Sequence, residues 1–177
     1  MMGENEMTVY IEDLVVRSNG NRPSYHEITK EVRVAVEKSK VKNGICVITT
    51  PHTTCSVIYE EYSHDTNYCG DEYLQVDFNN VLEKIVPRCL TEGQYYHPGP
   101  EHVAFGEKDC DSALVPDRRS LLNTEAHIKA SLVGESVTSA IENGVLQINQ
   151  VTGYYYFIDW DPNRPRDRQC KIVVMGE

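Results

Sequence analysis

A chain of 177 residues with 40% hydrophobic side chains can build one ordinary core, and it is too short for two domains to be the default reading. Its net charge of −10 argues against a grip on the nucleic-acid backbone, which needs clustered lysine and arginine. No apolar run approaches the roughly 18 residues of a membrane span, and Met1–Glu6 lacks the basic start and apolar stretch of a signal peptide, so a cytoplasmic protein with neither membrane nor nucleic-acid partners is expected.

Met7 to Val16 is rich in β-favouring residues and predicts a first strand, followed by a polar turn at Asn19-Gly20-Asn21. The spacing of Ile28, Val32, Ala35 and Val36 predicts a helix with one buried face. Lys42-Asn43-Gly44 then turns the chain into Ile45-Cys46-Val47-Ile48, a β-branched run suited to a central strand. After Pro51, His52 opens an extended stretch from Thr53 to Tyr59, which places it at a strand edge or corner. Glu72 to Val86 predicts a second helix, with Leu74, Phe78, Val81, Leu82 and Ile85 as its apolar stripe and Pro87 as its stop. Leu90 to Ser120, interrupted by Pro98, Gly99, Pro100, Gly106 and Pro116, reads as a long loop. Its Tyr95, Tyr96, His97, His102 and Phe105 favour an ordered flap over disorder. A short third helix carries His127 and ends at Gly134. Ser136 to Ile141, Val145 to Asn149, Tyr154 to Ile158 and Cys170 to Met175 predict four closing strands, with a tight hairpin turn at Glu142-Asn143-Gly144. This order predicts a single α+β domain with a mixed or mostly antiparallel sheet and about three helices.

The chain contains no GxGxxG, GxxxxGK[ST] or GxSxG, which leaves dinucleotide binding, P-loop hydrolysis and an esterase elbow without support. Its six cysteines are scattered with no CxxC pair and read as reduced thiols, Cys46 and Cys170 as small core residues. His52, His97 and His127 are the candidates for one site, because a neutral imidazole is both a common metal ligand and a proton-transfer group near neutral pH. None of them shows the HxH or HxxxH spacing that sets two ligands on one face. Plainer roles are open as well: His52 bonding a backbone carbonyl at a sheet corner, and His127 as a satisfied histidine on a helix with Ala126, Ile128 and Leu132. His26, His64 and His102 read as surface or loop residues. Cys55 stands three residues from His52, but extended residues at odd separation face opposite ways, which disfavours a Cys/His nucleophile. Arg164, Arg166 and Arg168 form the one conspicuous basic run, suited to an anionic substrate or to a solvated loop.

His52-Thr53-Thr54 followed by Glu61, Asp77 ten residues before Pro87, Tyr95-x-His97, Ala126-His127-Ile128-Lys129-x-Ser131-Leu132-x-Gly134 and Asn143-Gly144 together resemble the YjbQ-like family of uncharacterised proteins, over about Met7 to Gly176. The resemblance implies a small α+β protein that forms a homotrimer, and an activity similar to the secondary thiamine-phosphate synthase activity of some members. Carried over position by position, it implies catalytic roles for His52, His97, His127, Glu61 and Asp77. The chain departs from the family at Leu122 and Asn123, where an acidic pair is usual, and at Asn149-Gln150-Val151-Thr152-Gly153, which keeps only the last glycine of Gly-Thr-Trp-Gln-Gly. Ile158 replaces a glutamate, with Asp159 next door as the substitute, and the loop before His127 is long. Such departures suit a divergent branch.

On this reading His52, His97 and His127 would hold zinc or another divalent metal, leaving a fourth position for water or substrate. Glu61, Asp77 and Asn123 would accept from the outer ring nitrogens. Asn123, Lys129, Arg166 and Arg168 are the candidate substrate-binding residues, the cations matching a phosphorylated small molecule. Three classes stay open: a thiamine-phosphate synthase-like transferase, a non-catalytic trimeric metal- or metabolite-binding protein, and a metal-dependent hydrolase. The eleven tyrosines, with Tyr154-Tyr155-Tyr156 in one strand, suit either an intersubunit face or ordinary strand packing.

Overall fold

In a computed structural model that describes residues 7–110 and 115–177, strands and helices interleave as the sequence order predicts. The segment weighed as a signal peptide, Met1–Glu6, and part of the predicted flap lie outside the described residues. The chain runs β1 (Thr8–Arg17), β2 (Ser24–Glu27), α1 (Thr29–Ser39), β3 (Gly44–Thr49), β4 (Cys55–Glu61), α2 (Tyr73–Ile85), α3 (Pro100–Lys108), a 3-10 turn (Arg118–Leu121), α4 (Thr124–Val133), β5 (Ser136–Glu142), β6 (Val145–Leu146), β7 (Gly153–Asp159) and β8 (Asp167–Gly176).

The strands form two sheets, in the orders β1-β8-β3-β5-β6 and β2-β7-β4, and every pairing in them is antiparallel. The long β8 takes β1 along one edge, from Thr8 opposite Gly176 to Arg17 opposite Asp167, and β3 along the other. Alternate β8 residues Cys170, Ile172 and Val174 point inward to meet Cys46, Ile48, Phe157 and the α1 residues Val32, Ala35 and Val36 in the main core. A smaller core of Leu82, Ala126, Ala130, Ile158 and Trp160 holds α2 and α4 against the second sheet. Trp160 anchors it, packing edge-on to Tyr25 and Phe78 while its indole N–H donates to Ser56 Oγ at 2.8 Å.

Four features differ from the sequence reading. β2 has no sequence signature, because four residues carry no period of their own; it exists by pairing along β7, Ser24 opposite Asp159. A fourth helix, α3, lies inside the predicted flap, with Pro100 in the first turn, where its missing N–H costs no helical bond. The expected Val145 to Asn149 strand stops at Leu146, and Asn149 Oδ1 instead accepts from the amides of Val151 and Thr152. Of the α2 stripe only Leu82 is buried; Leu74, Val81 and Ile85 are exposed, because just one edge of the helix meets the Trp160 cluster.

The hairpin turn is as expected: Asn143 (φ 52°) and Gly144 (φ 79°) both adopt the left-handed conformation that a primed turn needs. All six cysteines are free thiols, with Cys46 and Cys170 in the core. Among the described residues no helix is long and apolar enough to cross a membrane.

Candidate functional site

His127 lies one turn into α4, His97 lies in the segment between α2 and α3, and His102 lies in the first turn of α3. The three rings meet, with the His97 centroid 4.7 Å from that of His102 and 5.5 Å from that of His127. Thr124, the first residue of α4, fastens the segment down: its hydroxyl donates to the His97 carbonyl at 2.6 Å and lies 3.0 Å from His97 Nδ1. A hydroxyl has one proton to give. Since that proton goes to the carbonyl, the hydroxyl accepts from the ring, so Nδ1 carries hydrogen and Nε2 keeps its lone pair.

Burial pushes the His97 imidazole below the ordinary histidine value of 6.5, and the neighbouring His102 and His127 push it further. His127 is lowered as well, chiefly by burial; the Thr53 carbonyl bonded to its ring and the charge of Asp161 offset part of this. Both rings are therefore neutral near pH 7, each held by the fold through a bond to its ring.

Beside the pair, the buried Asp161 accepts from Asn123 Nδ2 at 3.1 Å and from the backbone amide of Asn163 at 3.0 Å, and it also binds the Arg166 guanidinium. These bonds tie the β7–β8 connection to the start of α4. Arg166 opposes protonation of both His52 and His127, so its charge reaches both rings. His52 itself does not stack on the pair. Its Nε2 accepts the Gln169 amide of β8 at 2.9 Å, the corner role expected of it but with the bond reversed, and the adjoining Thr53 is what touches His127.

The other predicted residues take different places. Arg168 is buried and spent on structure: its guanidinium grips Asp159 through two bonds of 2.8 and 3.1 Å and reaches Thr54 Oγ1 at 3.0 Å. Lys129, expected to hold substrate, is 1% exposed and ion-paired with Glu83 of α2. Glu61 is exposed at the far end of β4, about 20 Å from Cys55 at ~3.3 Å per residue, and Asp77 is exposed on α2. His102, read as a loop residue, is the member that the sequence reading missed; its spacing from His97 becomes meaningful only once α3 is seen.

The imagined triad of His52, His97 and His127 does not form as a metal centre, since His52 Nε2 is occupied by a backbone amide. Among the described residues no group of three or more His, Cys, Asp or Glu side chains could hold a metal ion.

The family model described as UPF0047 protein YjbQ-like matches residues 13–177. A UPF0047 protein of Methanocaldococcus jannaschii is 29% identical over 147 residues, 83% of each chain. The UPF0047 protein YugU of Bacillus subtilis is 28% identical over 85% of this chain and 88% of its own. Among solved structures, a protein of unknown function from Sulfolobus solfataricus superposes with a TM-score of 0.67 at 22% identity, covering 97% of this chain and 100% of that one. An uncharacterised protein of Clostridium acetobutylicum gives 0.65 at 26% identity, over 92% and 98%.

Proposed function

The chain belongs to the UPF0047 YjbQ-like family, and from that premise we propose that it is a cytoplasmic transferase for phosphorylated small molecules, resembling thiamine-phosphate synthase. It works as a homotrimer with His97 and His127 as its acid–base pair. The observation that carries this reading is the pair itself: two neutral imidazoles with ring centroids 5.5 Å apart, each oriented by a bond to the fold. In transfer from a phosphorylated donor, the carbon–oxygen bond breaks and its electron pair leaves with the phosphate, while the nucleophile's lone pair forms the new bond. One neutral imidazole takes a proton from the pyrimidine's amino group as the carbon–oxygen bond breaks and returns it once the thiazole nitrogen, which carries no proton of its own, has formed the new bond; the diphosphate leaves as the anion. Arg166 offsets the charge that collects there. The trimer is supported by apolar side chains left exposed on β1 (Val9, Ile11, Val15) and α2 (Val81, Ile85), since exposed apolar surface marks association.

The test gives the parent protein a pyrimidine diphosphate with a thiazole phosphate and compares His97→Ala and His127→Ala, with the mass of each followed by light scattering. Turnover in the parent should fall about 10²–10⁴-fold in each variant while fold and three-chain mass persist. No turnover in the parent, or undiminished turnover in both variants, overturns the transferase reading; a single-chain mass for the parent overturns the trimer.

A further inference from the structure

A separate cavity of about 490 Å³ opens between the β1–β2 turn, the segment after α2, the 3-10 turn and the β7–β8 connection. Its volume falls in the range of small-molecule sites. Three arginines line it, Arg88, Arg119 and Arg164, together with Asp117 and Ser120. In a chain of net charge −10 such a gathering of cations is local, and a concave wall concentrates its field. Arg88 is the telling residue: its Nε is buried and meets no hydrogen-bond partner among the described residues, and a buried donor left so is costly until an acceptor reaches it. Among the described lining residues Asp117 is the carboxylate; its Oδ1 is engaged by the amides of Arg119 and Ser120 at 2.8 and 3.3 Å and stands 3.9 Å from Arg119 Nε, so one negative charge faces three guanidinium groups. Burial holds Arg164 below the usual guanidinium range, and repulsion from Arg166 and Arg168 adds to this while Asp161 and Asp117 offset part of it.

We propose that this cavity is an anion site for an organic phosphate or diphosphate, held by Arg88 and Arg119 with Arg164 alongside, and that it binds independently of the histidine pair. Leu122 and Asn163 form part of its wall and are bonded to one another at 2.8 Å; Asn123, next to Leu122, and Asp161, two residues before Asn163, belong to the histidine site, so the two sites share a partition rather than a floor. The guanidinium fork supplies the paired donors that phosphoryl oxygens take, and the volume leaves room for the organic part.

The experiment is calorimetric titration of the full chain with pyrophosphate in a phosphate-free buffer at low salt. Arg88→Gln and Arg119→Gln should each weaken binding about tenfold. His97→Ala and His127→Ala should leave it unchanged. No heat from the parent, or unchanged affinity in both arginine variants, overturns the proposal. Binding lost in the histidine variants but kept in the arginine ones also overturns it, by placing the anion at the histidines. Should Arg88→Gln fail to fold, Arg119→Gln decides alone, because that side chain is 88% exposed. The result is read without turnover, so it stands or falls apart from the transferase reading.

Discussion

The Thr124 hydroxyl gives its proton to the His97 carbonyl and thereby fixes which ring nitrogen carries hydrogen, while burial keeps that ring neutral. Glu60 on β4 is likewise set by its immediate surroundings. Its Oε1 is buried without a partner among the described residues, and burial, followed by the nearby charge of Glu72 and partly offset by Gln75, pushes its carboxyl up to about 7. Glu72 is better placed, accepting from Tyr156 Oη at 2.6 Å, Gln75 Nε2 at 3.2 Å and the Ser63 amide at 2.8 Å. Because the folded value of Glu60 lies above its ordinary 4.5, its contribution to stability is present below 4.5 and is lost as pH rises through about 7. Glu60→Gln should therefore stabilise the protein at pH 8 by on the order of 1–2 kcal/mol, allowing for solvent screening, and by much less at pH 5. Urea denaturation at the two pH values checks this; a gain that does not grow with pH contradicts it.

Among the elements, α2 and α4 are joined by Trp160's small core and by the ion pair between Lys129 and Glu83. The lysine is 1% exposed and the glutamate 35%, so the two truncations are unequal. Glu83→Ala leaves an ammonium buried without its counter-charge and should cost about 3 kcal/mol, whereas Lys129→Met fills the same space with apolar atoms and should cost less. Denaturant midpoints rank the two variants, and the opposite order contradicts this assignment. The extent of α2 was legible from its apolar stripe and from Pro87 after its end, and the structure adds a capping box of Glu72 with Gln75 in the first turn. Its buried face was not, since a 3.6-residue period shows that a stripe exists without showing what covers it. α3 was hidden because prolines and glycines at Pro98, Gly99 and Pro100 read as loop, although a proline in a first turn is equally a helix start.

For the molecule as a whole, the alternation of strand and helix signals was enough for the α+β class, the hairpin at Asn143-Gly144 and the central place of β3. The candidate site was legible in part. His97 and His127 stood out as residues, but their meeting depends on a Thr124 contact across 27 positions of sequence that no local period encodes. Lys129 and Arg168 looked like substrate cations because a sequence does not show the carboxylates that take them, Glu83 and Asp159. The arginine cavity escaped for a related reason: net charge is a sum over the surface and conceals a local excess of the other sign.

His97 and His127 are neutral bases, His97 with a defined tautomer, and a ¹⁵N–¹H correlation titration of the histidine side chains, assigned with His97→Ala and His127→Ala, observes this directly. The structure predicts an Nδ1–H tautomer for His97 and protonation midpoints below 6.5 for both rings. An Nε2–H tautomer for His97, or midpoints at or above 6.5, would contradict it.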